Sequence, residues 1–218
     1  MAAGPLLGGL PGQGLRPKRT AVIELYTRAP EDTTVVCVDE LGPLIPRVYP
    51  AQPGWTSDDR RVKEEVAYWR EPEKTWVYGG LRIRDGHAVT MCADRRNSLC
   101  YQDFLALLEA DNPVGQIVVV TDNLSSHTSV STREWLAEHP RIRQVFIPKN
   151  ACWLNLQEPW WRMFRRQGLA GQELASGRDI RRVTVVATAQ LNAKAKPWIW
   201  GRPPPPKRVY RLKMTYRI

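Results

Sequence analysis

The seven residues Ile117-Val-Val-Val-Thr-Asp-Asn123 decide how the chain is read. Isoleucine followed by three valines leaves no polar face. Both side-chain parities are apolar, the mark of a strand covered on both sides. Asp122 follows where the run leaves the core, and in open α/β sheets ligands and chemistry collect at the carboxyl ends of strands. A second stretch, Thr34-Val-Val-Cys-Val-Asp-Glu40, has the same form, an apolar run ending in acid. A third carboxylate, Glu158, lies in Trp153-Leu-Asn-Leu-Gln-Glu-Pro-Trp-Trp161, with 35 residues between it and Asp122. Asp39, Asp122 and Glu158 are the candidate active site.

Working outward, strand one spans Thr34 to Asp39. Residues 42–73 hold five prolines and no helical period, which reads as a long excursion. Trp55, Arg60, Arg61 and Lys63 on it are candidate DNA contacts. Trp76 to Arg84 alternates, Asp85-Gly86 supplies a two-residue turn, and His87 to Cys92 returns, so a hairpin follows. Tyr101, Phe104, Leu105 and Leu108 fall on one face of a helix over Ser98–Ala110. After the central strand, Ser131-Thr-Arg-Glu134 reads as a capping box opening a short helix that Pro140 stops. Arg141 to Ile147 reads as another strand. Glu158 to Gln167 reads as a helix with Pro159 in its first turn, where proline is tolerated. On that helix Trp160, Trp161 and Phe164 are available to the core, and Arg162, Arg165 and Arg166 to solvent. Most of the tryptophans at 160, 161, 198 and 200 read as core residues. A last helix opens at Ser176 or Asp179 and runs to about Ala195.

Three antiparallel strands, then two parallel ones with flanking helices, is the order of a ribonuclease-H-like α/β mixed sheet. The expected organisation is a disordered leader or linker remnant over 1–33, with 21–33 open between a short helix and an extended lead-in, a catalytic domain over 34–196 and a Pro-rich basic tail over 197–218. In that order strand one and the strand at 117–122 are neighbours, and Asp39 and Asp122 share one rim.

The 218 residues are 43% hydrophobic and 25% charged, which suits a folded domain. The net charge of +10 is uneven. From Trp160 to Ile218 there are 14 Lys or Arg against two acids, whereas residues 1–159 carry 18 against 20. A basic end on a near-neutral body is the footprint of a polyanion such as DNA, and Lys207 and Arg208 in the tail join the candidate contacts. The four cysteines form no C-x-x-C pair, which argues against a zinc site or disulfide framework. No apolar run reaches the ~18 residues of a membrane span, and the amino terminus has no apolar signal core. A cytoplasmic protein is expected.

Two carboxylates sharing a rim repel and raise each other's pKa. Alone, an Asp after a strand reads as a turn or cap residue, and a Glu at a helix start as a dipole partner. Together they suit divalent cations that prefer oxygen, Mg²⁺ or Mn²⁺, two of which would serve phosphodiester displacement. Glu40 points to the opposite face from Asp39 by strand alternation and is a lesser candidate.

The phrases Val-Cys-Val-Asp-Glu, Thr-Asp-Asn-Leu-Ser-Ser-His and Leu-Asn-Leu-Gln-Glu-Pro-Trp-Trp resemble the three acid motifs of DDE transposases of the mariner-like superfamily, in its bacterial insertion-sequence branch. The resemblance covers Val35 to Pro206. It implies a ribonuclease-H-like core, Mg²⁺ or Mn²⁺ held by Asp39, Asp122 and Glu158, and accessory positions at Asn123, His127 and Asn155. It implies nicking at element ends, then attack of a DNA 3′-hydroxyl on target DNA, by a multimer of this chain. Such proteins carry helix-turn-helix modules before the core, whereas here fewer than 35 residues precede strand one. The expectation is a chain lacking that module, with a separately encoded DNA-binding half as a partner. A non-catalytic DNA-binding remnant and a nuclease without strand transfer are the alternatives.

Overall fold

The structure is a computed structural model and describes residues 15–46 and 73–201. Trp55, Arg60, Arg61, Lys63, Lys207 and Arg208 lie outside the described residues. Five strands form one sheet: β1 (Thr33–Leu44), β2 (Thr75–Arg82), β3 (Ala88–Ala93), β4 (Gln116–Thr121) and β5 (Ile142–Phe146), in the order β3-β2-β1-β4-β5. The first three are antiparallel, and β4 and β5 run parallel to β1. This is the mixed sheet expected from the element order.

Both faces of the sheet are covered, which is why the central strands are apolar at both parities. On one face, Val35, Cys37, Leu41, Val77, Val118 and Val120 meet Trp160, Trp161 and Phe164 of α5 (Gln157–Phe164) and Ala187 and Leu191 of α6 (Gly177–Asn192). On the other, Val36, Val38, Tyr78, Ile117 and Val119 meet Tyr101, Phe104, Leu105 and Leu108 of α2 (Ser98–Asp111), the helical face expected from the sequence. Trp160 and Trp161 are fully buried, whereas Trp198 and Trp200 are only partly so.

Several boundaries differ from the sequence reading. Residues 15–27 form a helix, α1 (Leu15–Thr27), rather than a disordered leader. Val22 and Tyr26, one turn apart, enter the core beside Cys37, and that burial outweighs the poor local propensity of this stretch. The hairpin turn is wider than two residues. Leu81 pairs with Ala88, and Arg82 N–H donates to the His87 carbonyl across the loop. Ile83 leaves β3 and donates instead to the Val35 carbonyl. The helix expected from Ser131 is α4 (Val130–Glu138), capped by Ser129, whose hydroxyl accepts from Thr132 N–H. A short α3 (Ser125–Thr128) precedes it. Ser176 and Asp179 do form a capping box at α6. The helix of Glu158 passes into a π-helical turn at Arg165–Leu169.

Because α1 packs through Val22 (0% exposed), Val22→Ala is expected to cost about 1–3 kcal/mol in urea unfolding. Val185→Ala, at a position 69% exposed, is expected to change stability by less than about 0.5 kcal/mol. Equal, near-zero effects would mean that α1 does not belong to the core.

Candidate active site

β1 and β4 are paired in parallel up to Cys37↔Val120. Two residues further along each strand stand Asp39 and Asp122, so the two acids leave adjacent strands level with each other. Asp39 is not at the end of its strand as expected. β1 runs on, still paired with β2 through Asp39↔Gly79, Glu40↔Tyr78 and Leu41↔Val77. The acid is therefore held by a ladder on one side and opens on the side where β4 has ended.

Glu158 lies in the first turn of α5, half-buried. The segment before it is tied to β1. Asn155 Nδ2 donates to the Val38 carbonyl at 2.8 Å, and Asn155 Oδ1 accepts from Gln157 N–H at 3.1 Å. One buried amide thus links the residue before Asp39 to the residue before Glu158. The close approach needs Gly79, directly across from Asp39. A Cβ at Gly79 would fall 2.5 Å from Gln157 Nε2 and 2.5 Å from the Trp161 ring. A glycine pair inside a strand signals such an approach in the sequence, but the partner is invisible there.

The charges bear on one another. Asp39 is pushed up to about 7, first by burial and then by the charges of Glu158, Glu40 and Asp122. Asp122 moves the other way, held below the usual range by a hydrogen bond from His127, against some burial, with help from the Leu124 amide. Leu124 N–H lies 3.0 Å from Asp122 Oδ1, and His127 Nδ1 is also 3.0 Å from that oxygen. His127 is fully buried and packs against the Tyr101 ring, tilted to it by 32° with centroids 4.0 Å apart. Its Nε2 lies 2.8 Å from Glu40 Oε1. Burial opposes a charge on this ring, but the carboxylates of Asp122 and Glu40 outweigh it and raise it to about 9. With a carboxylate at each nitrogen, the ring is a doubly protonated imidazolium that donates to both.

The positions named from sequence sort as follows. Asp39, Asp122 and Glu158 meet electrostatically at one rim. Asn123 Nδ2 donates to the Ile147 carbonyl at 2.7 Å and so joins the end of β4 to the end of β5. Arg162, Arg165 and Arg166 are exposed on α5 and the π turn. Glu40, ranked lower from sequence, is the buried anchor of His127, on the face opposite Asp39 as alternation requires. Arg96, not singled out, lies near enough to Asp122 to help lower it, and stands over the Trp76 ring at 4.5 Å.

The donors are all hard carboxylate oxygens, and their mutual repulsion is what a divalent cation relieves. Among the described residues, no three acidic, histidine or cysteine side chains already converge as a metal cage. The Asp122 carboxylate is turned toward His127 and the Leu124 amide. The donor chemistry fits a hard divalent cation, and the closed coordination geometry is not preformed.

Two outcomes test this account. Gly79→Ala is expected to cost about 1–3 kcal/mol by lifting α5 from β2. A neutral result would deny the close approach. For Asp39 the native pKa of about 7 lies above the ordinary 3.8, so the native state binds more protons in between and stability falls as pH rises through that window. In EDTA, Asp39→Asn is therefore expected to melt above wild type at pH 8, by about 1 kcal/mol or more, roughly 2–4 °C. The gap closes toward pH 4. A mutant that melts at or below wild type at pH 8 would contradict a strained carboxylate.

With this geometry in place, known proteins can be set beside it. Residues 34–181 match the family model described as DDE superfamily endonuclease. An insertion element IS630 uncharacterized 39 kDa protein of Shigella sonnei is 28% identical over 103 residues, which is 47% of this chain and 30% of that protein. The chain therefore spans under a third of that relative in the matched region. Among solved structures, the Mos1 strand transfer complex superposes with a TM-score of 0.50 at 11% identity, covering 88% of this chain and 64% of that one. At that identity the likeness is one of fold. The family model covers well over half of the sequence and both strands that carry the paired acids, and this chain belongs to the DDE superfamily of endonucleases.

Proposed function

We propose that this domain cuts DNA strands and joins the resulting 3′-hydroxyl ends to target DNA, as a transposase catalytic domain. The observation that carries the reading is the shared rim of Asp39, Asp122 and Glu158, with Asp39 raised to about 7 by burial and its acidic neighbours. Asp39, Asp122 and Glu158 would hold Mg²⁺ or Mn²⁺. Two such ions, when bound, supply Lewis-acid stabilisation of the attacking and leaving oxygens in phosphodiester displacement.

The chain's own residues do the rest. Asp39 loses its proton on loading, so its raised pKa makes occupancy steeper with pH near neutrality. His127 holds Asp122 in one rotamer and offsets part of the negative charge of the rim. Asn155 and Asn123 fix α5 and β5 against the two acid-bearing strands. Arg162 on the helix of Glu158, and Arg165 and Arg166 on the π turn after it, would meet phosphates, an affinity that falls with salt.

The partners under this reading are element-end and target DNA, further copies of this chain and a separately encoded DNA-binding half. Among the described residues no helix is long and apolar enough to cross a membrane. The proposed place of action is nucleoid DNA in the bacterial cytoplasm.

The test is nicking of supercoiled plasmid with Mg²⁺, Mn²⁺, Ca²⁺ or EDTA, with Asp122→Asn alongside. Wild type is expected to nick with Mg²⁺ or Mn²⁺ and not with EDTA. The variant is expected to lose at least about 100-fold while still binding DNA. Cleavage without joined products on adding 3′-hydroxyl ends would make it a nuclease. Salt-sensitive DNA binding with no cleavage would leave a non-catalytic remnant.

A further inference from the structure

Resting on the strand-cleavage reading, we propose that Tyr26 is a positioning residue that sets the separation of Asp39 and Glu158, acting through Cys37 and the Leu154–Gln157 segment. Tyr26 belongs to α1, outside the residues that match the family model.

The geometry is a buried joint. Tyr26 Oη donates to the Leu154 carbonyl at 2.7 Å and lies 3.2 Å from Cys37 Sγ. The phenol has one proton, and the short bond to Leu154 uses it, so the Cys37 thiol donates back to the phenol oxygen. The backbone amides of Leu156 and Gln157 lie near enough to bear on the charge of the Cys37 sulfur. Cys37 is fully buried, two residues before Asp39, and Gln157 is the residue before Glu158. One hydroxyl therefore ties the strand of the first acid to the segment that delivers the third.

Two further contacts from α1 flank the joint. The Arg19 guanidinium sits 5.1 Å from the Trp153 ring centroid, and Tyr26 and Trp200 rings approach with centroids 5.5 Å apart. Asn155 grips the Val38 carbonyl from the other side. Asn155 gives the segment one polar anchor to β1. The Tyr26 bond supplies a second point, and two points define the direction in which α5 starts. The rim has no preformed cage, so this direction decides how much rearrangement the acids need to close on a cation, and that cost appears as metal affinity.

Tyr26→Phe keeps the ring and removes only the hydroxyl. Its partner in the test is Leu108→Ala, a core truncation under α2 on the opposite face of the sheet, which lowers stability without touching the joint. Two quantities are read: Mn²⁺ affinity by calorimetry, and amide hydrogen exchange of residues 154–157 in EDTA. Tyr26→Phe is expected to bind Mn²⁺ three- to tenfold more weakly than wild type. Its Leu156 and Gln157 amides are expected to exchange at least tenfold faster without metal. Leu108→Ala is expected to keep wild-type Mn²⁺ affinity despite a lower Tm. Wild-type affinity in Tyr26→Phe overturns the proposal. So does equal weakening in both variants, which would reduce the hydroxyl to a general stability contact. A wild-type protein whose Mn²⁺ binding is absent, or survives Asp39→Asn, would sink the metal reading itself and Tyr26 with it.

Discussion

The parallel pairing of β1 with β4 is the constraint on which everything else rests. It ends at Cys37↔Val120, and each strand then continues to an acid. Two like charges are thereby set on one rim, Asp39 held within the β1–β2 ladder and Asp122 one residue past the end of β4. The repulsion is built into the backbone, and the rest of the domain is arranged to bear it. β2 keeps Asp39 in place from the far side, and α5 brings a third carboxylate rather than a neutralising base. On the proposed reading a bound cation would relieve that repulsion.

Bringing α5 so near demanded concessions from its neighbours. Gly79 gives up its side chain so that Gln157 and Trp161 can lie on the strand. Asn155 is fully buried, yet both ends of its amide are satisfied, by the Val38 carbonyl and the Gln157 N–H. Tyr26 reaches in from outside the sheet to hold the same segment. Each is a small polar or steric device at a single position, and together they replace the continuous ladder that Glu158, coming from a helix, cannot have.

What the sequence made legible follows from how locally each feature is encoded. The apolar runs at 34–38 and 117–120 announced central strands because two-sided burial shows in every residue. The acids at their ends were found because a charge after such a run stands out. Glu40 was placed on the correct face by alternation alone, but its partner His127 lies 87 residues away and only the fold joins them. α1 was missed because its helix depends on two residues, Val22 and Tyr26, docking onto a surface made elsewhere. The Ser131 cap was misplaced by two residues because Ser129 and Ser131 are equivalent locally and only packing chooses between them. The hairpin turn was read too tight because Ile83 is claimed by Val35, a long-range bond that no turn propensity contains.

The alternation at Asp39-Glu40 carries the argument one step further. Neighbouring acids on a strand face opposite sides, so one strand serves two layers of the site. Asp39 opens toward the rim, and Glu40 turns under the sheet to meet His127. An imidazolium held between Glu40 and Asp122 would be costly if either carboxylate were lost, because a buried charge would be left unpaired. With both present, the ring spends its positive charge fixing Asp122 and offsets one of the three negative charges felt at Asp39. What remains on the rim is net negative by about the amount one or two divalent cations would balance. The histidine holds one oxygen of Asp122, so a cation taken by the proposed site would bind the other oxygen or displace that contact. The ring offsets charge from the buried side of the sheet, through Glu40, and leaves the open side of the rim to the proposed ligands.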